Sequence, residues 1–314
     1  MIDNIIIGAG GQDGIILKNL IENKGESVVA VFKSYYTTKN LKKPFSIFSQ
    51  NDVEGLITNF LPRKIFYLAG YHHSSEDNFE DDVTIFRKSI DVHLNGLINF
   101  LETLVKLKLN TKVFFASSSH VFGDIKSSPQ NENSPMNPVS AYGISKLAGM
   151  NACNFYRDQY KLNISSGIFY NHESVYRESK FVSSKIVEAA VKIKCGMQEK
   201  LILGNINSPV DWGSAEDYMD AVLRISNLEK PYDFIISSGQ RHTVKDFIDY
   251  AFCAVSLDWK KYVEVNPEIL KGNVHSSLFG DYSFLHKMTG WEPSKSLKEI
   301  AEEMVRSKLL ELSK

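Results

Sequence analysis

Short apolar runs that stop at glycine or serine alternate, over the first half of the chain, with longer stretches in which apolar residues recur every three to four positions. Asn4 to Gly8 is the first short run. From Gln12 to Asn23, residues Ile15, Ile16, Leu20 and Ile21 share one stripe, which predicts a helix. Ser27 to Phe32 and Lys64 to Ala69 read as a second and a third strand. A long helical pattern from about Asp82 to Leu107 leads to a fourth, Lys112 to Ser117. Ala141 to Tyr160 reads as a helix and Ile164 to Phe169 as a fifth strand. Strands that alternate with helices pair in parallel through right-handed crossovers, so the expectation is an α/β protein on a doubly wound parallel sheet. From about Phe181 the rhythm changes. Helices alternate with shorter β runs such as Leu201–Gly204 and Phe234–Ser237, and the chain closes with Trp291-Glu-Pro and a helix from about Leu297. This predicts a smaller C-terminal α/β lobe. The expected division is residues 1–170 and 171–314, with some chain exchanged between the lobes, because no Pro/Gly-rich linker parts them.

The 314 residues suffice for a sizeable buried core, and 43% hydrophobic with 23% charged residues is ordinary for a globular protein. A net charge of −1 offers no bulk attraction to nucleic acid or an anionic membrane, so neither partner is expected. Cys153, Cys195 and Cys253 are far apart and form no CxxC pair. With an opening Met1-Ile-Asp-Asn that runs directly into a strand, they point to a reducing cytoplasm. No apolar stretch approaches the length of a membrane span. His72 and His73 are adjacent on a strand end and would point to opposite sides, and no carboxylate or cysteine cluster completes a site, so no metal is expected. Tyr35 and Tyr36 read as loop packing.

Gly8-Ala-Gly-Gly11-Gln-Asp-Gly14 lies between the first strand and the first helix. Gly8, Gly11 and Gly14 let backbone approach a pyrophosphate, and the helix start, with Gln12 and Asp13, supplies N–H donors and positive potential. This predicts a dinucleotide site. An NAD site places an acid at the end of the second strand for the ribose 2′-hydroxyl. Between Glu26 and Asp52 there is no acid, and Lys33, Lys39, Lys42 and Lys43 stand there instead. The lysines favour NADP(H) over NAD(H); the other reading is a solvated loop.

Tyr142 and Lys146, four residues apart, share one face of a helix, and Ser118 ends the fourth strand. Lys146 is expected to hold positive charge near the Tyr142 hydroxyl and lower its pKa, and Ser118 to hydrogen-bond a substrate oxygen. Such a group moves a proton to or from an alcohol while a nicotinamide moves a hydride.

Several further stretches carry a resemblance: Ala116-Ser-Ser-Ser-His-Val-Phe-Gly123, Ala141-Tyr-Gly-Ile-Ser-Lys146, Asn171-His-Glu-Ser174, Phe181-Val-Ser-Ser-Lys185, Leu203-Gly-Asn205, Asp211-Trp-Gly-Ser-Ala-Glu-Asp-Tyr218 and Gly290-Trp-Glu-Pro293. With Gly11-Gln-Asp-Gly14 they cover nearly the whole chain. It resembles the extended short-chain dehydrogenases/reductases of the nucleotide-sugar epimerase/dehydratase family, most closely their GDP-mannose 4,6-dehydratase branch. The resemblance implies a Rossmann domain that binds the dinucleotide through the glycine loop, Lys33, Leu68, Ala69, Gly70, Ser117, Tyr142, Lys146, His172 and Arg177, the last two near the nicotinamide. It implies a nucleotide-diphosphate sugar held by His73, Ser118, Asn171, Val182, Lys185 and Asn205, with Lys271 in place of a diphosphate-binding arginine. It also implies a homodimer or homotetramer, paired through the helices Asp82–Leu107 and Ala141–Tyr160.

In the dehydratases of that branch the tyrosine takes the proton from O4 as C4 is oxidised, and a carboxylate takes the C5 proton so that water leaves C6. The carboxylate is a glutamate in the slot held here by His120, and an arginine before Asp-Trp-Gly is replaced by Val210. A ketosugar reductase needs only cofactor, Ser118, Tyr142 and Lys146. The substitution therefore favours reduction of a nucleotide 4-keto-6-deoxy sugar, such as a GDP-linked hexose or heptose, with or without an epimerisation through His120. The alternatives are a 4,6-dehydratase with His120 as the C5 base, His120 as a mere pocket-lining residue, and a non-catalytic NADP-binding regulatory protein.

Overall fold

In a computed structural model the chain is described over residues 2–73, 77–124, 127–266 and 278–313. The first half runs β1 (Asn4–Ile7), α1 (Gln12–Asn23), β2 (Val28–Val31), β3 (Tyr35–Thr38), β4 (Leu41–Pro44), α2 (Gln50–Phe60), β5 (Lys64–Tyr67), α3 (Asp82–Ile90), α4 (Gly96–Leu107), β6 (Lys112–Ser118), α5 (Ala141–Tyr160) and β7 (Ile164–Phe169). The second half runs β8 (Asn171–Glu173), α6 (Val182–Lys194), β9 (Leu201–Leu203), β10 (Pro209–Val210), β11 (Trp212–Ser214), α7 (Ala215–Asn227), β12 (Asp233–Ile236), β13 (His242–Thr243), α8 (Val244–Ala254), β14 (Val263–Val265), α9 (Ser283–Thr289) and α10 (Leu297–Leu312).

Among the described residues, eight strands form one sheet in the order β12-β7-β6-β5-β1-β2-β3-β4. The six from β12 to β2 are parallel, with Ile5 between Val29 and Ile65 and Phe66 beside Phe114. Their residues are buried on both faces, which explains why the runs are continuously apolar and not alternating. Ile5, Ile7, Ile65, Tyr67, Val113 and Phe115 pack one face against α2, α4 and α5. Ile6, Phe66 and Phe114 pack the other against Ile16 and Leu17 of α1 and Tyr218, Met219 and Val222 of α7. A third core, around Ile186, Phe247, Ile248, Ile300 and Met304, joins α6, α8 and α10 in the smaller lobe. The segment from Trp212 to Ile236 returns to the large sheet, where β12 flanks β7.

Two features differ from the sequence expectation. The loop after the second strand is a hairpin: β3 and β4 pair antiparallel, Thr37 opposite Lys42 and Tyr36 opposite Lys43, and extend the sheet edge. Tyr36 is core, edge-on to Phe45 and Phe60. The helix expected through Asp82–Leu107 carries one π turn over Asp91–Asn95. There the Gly96 N–H reaches the Asp91 carbonyl, so the Val92 carbonyl is released and takes the Tyr67 hydroxyl at 2.6 Å. The extra residue turns His93 fully inward.

Candidate active site

The order of the parallel strands reverses between β1 and β5, and a crevice opens beyond their C-terminal ends at such a switch point. The glycine loop fills one wall. Gly8 adopts φ +93°, and a Cβ there would stand 2.7 Å from the Ala69 nitrogen. At Gly14 a Cβ would lie 2.4 Å from the Gly8 carbonyl and 2.6 Å from Ala9 Cα, so only glycine lets α1 start this close to β1. No side chain caps α1 at Gly11, and a Cβ at Gly11 would meet nothing nearer than the Gly8 carbonyl, 3.7 Å away. Open backbone at an uncapped helix start fits a pyrophosphate.

Asn171-His-Glu-Ser174 braces this loop from the side. The Gln12 amide donates to the His172 carbonyl at 3.1 Å, and the Ser174 hydroxyl donates to Gln12 Oε1 at 2.8 Å. His172 Nε2 is 2.9 Å from Asp13 Oδ1. Burial works against the Asp13 carboxylate, but His172 and Arg177 outweigh it and hold its pKa below the ordinary value. The His172 ring is thus turned onto the loop, 9% exposed. Glu173, buried, accepts from Ser183 at 2.7 Å. Arg177 Nε lies 3.0 Å from the same carboxylate without hydrogen-bond alignment, and its guanidinium covers the Phe181 ring at 3.6 Å.

The opposite wall carries Ser118, Tyr142 and Lys146, brought together as β6 ends against the first turns of α5. Burial pushes the Tyr142 hydroxyl up to about 12, and Ser118 pulls it the other way. Lys146, 3% exposed, donates to the Ala116 carbonyl at 2.7 Å, and burial brings it down to about 7. The expected lowering of Tyr142 by Lys146 is therefore not found in this state. The ammonium is turned to a backbone carbonyl and is itself held close to neutrality. Three imidazoles surround the Tyr142 ring: His72, His93 and His120, at 5.1, 5.3 and 5.6 Å between centroids and all nearly perpendicular to it. His120 is exposed on the crevice side, with its backbone N–H on Ser118 Oγ at 3.3 Å.

His93 and His72 were not singled out as site residues from sequence. His93 Nε2 accepts from the Tyr71 N–H at 2.9 Å, so Nδ1 carries the proton and donates to Ser145 Oγ at 2.7 Å. That hydroxyl passes its own proton to the Tyr142 carbonyl at 2.9 Å, so His93 ties the end of β5 to the tyrosine's turn of α5. A histidine inside an apolar helical stripe was the available signal. His72 packs against Phe181 at 5.5 Å, and its buried Nδ1 has no partner. Burial first, then the nearby cations, bring its pKa down to about 4.

The sequence model for GDP-mannose 4,6 dehydratase matches residues 5–304. The chain belongs to that family. GDP-mannose 4,6 dehydratase 1 of Arabidopsis thaliana is 31% identical over 332 residues, covering 99% of this chain and 90% of the relative. GDP-mannose 4,6-dehydratase of Sinorhizobium fredii is 29% identical, covering 97% and 96%. Among solved structures, RMD from Pseudomonas aeruginosa complexed with NADPH superposes with a TM-score of 0.85 at 18% identity, over 99% of this chain and 100% of that one. A UDP-glucose 4-epimerase from Thermotoga maritima gives 0.83 at 20%, over 99% of both chains. The chain is therefore an enzyme of the extended short-chain dehydrogenase/reductase class that modifies nucleotide sugars, and its family binds a nicotinamide dinucleotide.

The remaining named residues spread around the crevice. Gly70 comes within Cβ reach of Lys146 Nζ, 3.8 Å, and of His93, while Leu68 and Ala69 lead to it from β5. Ser117 is buried with an unpartnered hydroxyl. Asn171 is exposed at the start of β8, and Val182 and Lys185 occupy the first turn of α6. His73 and Asn205 are half-buried, and Lys33 is exposed after β2. Lys39, Lys42 and Lys43 belong to the hairpin, with Lys42 Nζ 4.1 Å over the Tyr35 ring, itself stacked on Phe32 at 4.7 Å. Lys271 lies outside the described residues. No helix among the described residues is long and apolar enough to cross a membrane.

Proposed function

We propose that this enzyme is a nucleoside-diphosphate hexose 4,6-dehydratase that acts on GDP-mannose with NADP(H). The observation that carries the reading is the full-length likeness to GDP-mannose 4,6-dehydratases, with His120 set edge-on to the Tyr142 ring as the base the reaction needs. The full-length relatives support dehydration over the reductase reading that the histidine first favours. A bound nicotinamide would supply the hydride acceptor for C4 of the sugar and the hydride donor for C6. Tyr142, paired with Ser118, receives the O4 proton. His120 takes the C5 proton as a general base, the C6 hydroxyl leaves with a proton as water, and a solvent proton returns to C5 when C6 is reduced. Lys185 and Arg177 offer charge to the diphosphate, and Asn171 a polar edge to the sugar. The lysines of the hairpin and Lys33 support a cofactor with a 2′-phosphate. Val83 and Phe86 on α3 and Phe155 on α5, all exposed, support a homodimer through these helices.

Incubation with GDP-mannose and catalytic NADP should yield a product lighter by one water, with no net change in NADPH. His120→Ala should abolish water loss while binding of the dinucleotide is unchanged. A histidine in the slot of the glutamate supports one rival, the ketosugar reductase. Stoichiometric NADPH consumption with a 4-keto-6-deoxy sugar, and no water loss from GDP-mannose, would replace the dehydratase by it.

A further inference from the structure

A carboxylate stands where the chain is built to receive a pyrophosphate. Asp13 lies in the first turn of α1, and an anion there competes with the phosphates for the helix's positive end. The hydrogen bonds around it identify what offsets it. His172 Nδ1 is 2.8 Å from the Tyr170 carbonyl, which can only accept, so Nδ1 carries a proton. Nε2 is 2.9 Å from Asp13 Oδ1, and an ionised carboxylate can only accept, so Nε2 carries a second. The ring is held between Phe169, at 5.2 Å, and Tyr218, at 4.9 Å.

The charged and titratable groups around the pair come from four elements. Asp13, with Gln12, faces the ring from α1, and Arg177 acts on both partners from the loop after β8. Tyr218 faces it from α7 and is neutral, its pKa driven far up by burial. Tyr142 and Lys146 on α5 feel the Asp13 charge. Burial and Arg177 oppose charge on His172, and Asp13 outweighs both, so the ring holds its proton above the ordinary range.

We propose that His172 is a cofactor-positioning residue that works as an imidazolium, cancelling Asp13 in the first turn of α1 so that a dinucleotide pyrophosphate can dock on the backbone there. The proposal rests on the dinucleotide reading of the glycine loop. When the pH rises past the point where Nε2 loses its proton, Asp13 is left uncompensated and affinity for the pyrophosphate falls. A unit charge a few ångströms from the phosphates corresponds to a change on the order of tenfold.

Two measurements on the full chain test it. Nitrogen-15 shifts of the His172 ring should show both nitrogens protonated at pH 6.5, with the loss of one as the pH is raised; a neutral ring at pH 6.5 overturns the proposal. Dissociation constants for NADH, which has no 2′-phosphate to titrate, should weaken about tenfold across the same titration. His172→Gln should weaken NADH binding about tenfold at pH 6.5, and adding Asp13→Asn should restore it and flatten the pH profile. A flat wild-type profile, or a double variant as weak as His172→Gln, overturns the proposal. Failure of NADH and NADPH to bind at any pH would instead overturn the dinucleotide reading, with the ring's charge state still decided by the nitrogen shifts, which need no variant to fold.

Discussion

Lys146 gives a prediction whose size follows from its surroundings. Its ammonium is buried beneath Phe115 and Tyr142 with the Ala116 carbonyl as its hydrogen-bond partner, and its pKa is brought from 10.5 to about 7. The unfolded chain therefore holds this proton up to pH 10.5 while the native one releases it near 7. Between those values the unfolded state binds more protons, so stability rises with pH. Below pH 7 the full cost applies, about 5 kcal/mol from the distance between the two pKa values. Lys146→Met removes that cost but leaves the Ala116 carbonyl without its donor, a loss of about 1–3 kcal/mol. The variant, although inactive, should be more stable than wild type by roughly 2–4 kcal/mol at pH 6.5 in the absence of cofactor. By pH 9.5 wild type should recover about 3 kcal/mol relative to the variant. Urea titrations of both proteins at the two pH values give the comparison, and effects of other groups cancel in the difference. A variant less stable than wild type at pH 6.5, or a difference independent of pH, would refute the reasoning.

Three further outcomes are expected. Gly14→Ala forces a Cβ to within 2.4 Å of a backbone carbonyl; it should cost at least about 2 kcal/mol and abolish dinucleotide binding, and a variant that binds normally would show that the loop yields. His72→Phe removes a buried nitrogen without a partner, so stability should rise by about 1 kcal/mol at pH 7. The gain should grow as pH falls from 6.5 towards 4, where the unfolded chain takes up a proton that the native ring refuses; an acid-unfolding midpoint unmoved by the change would count against it. Lys42→Ala should weaken NADPH about tenfold and leave NADH nearly unchanged, because only NADPH brings a 2′-phosphate to the hairpin; equal losses for both would remove the hairpin from cofactor selection.

Much of this architecture was legible where local pattern and burial agree. The boundaries of α1 and α5 and the strands β1, β2, β5, β6 and β7 follow from apolar runs buried on both faces, with glycine or serine at their ends. The hairpin was missed because charge dominated the reading of Lys39, Lys42 and Lys43, although Tyr35-Tyr36-Thr37-Thr38 has the β-branched and aromatic content of a strand. The π turn has no local signature. The carbonyl it frees, at Val92, is taken by the hydroxyl of Tyr67, 25 residues earlier. Spacing alone brought Tyr142 and Lys146 to one face and Ser118 beside them. What spacing does not contain is the protonation of that group. Burial sets Tyr142 high and Lys146 low. The pairing of Asp13 with His172 spans 159 positions and is likewise a property of the fold alone.

In the proposed function His120 serves as the base of an internal oxidation, dehydration and reduction of one hexose. GDP-mannose labelled with deuterium at C4, incubated with the enzyme in ordinary water and followed by mass and NMR, tests it most directly. The expected result is a 4-keto-6-deoxy product with the label at C6, and none from the His120→Ala variant. Intact substrate with the wild-type enzyme, or a product formed at the same rate without His120, would contradict it.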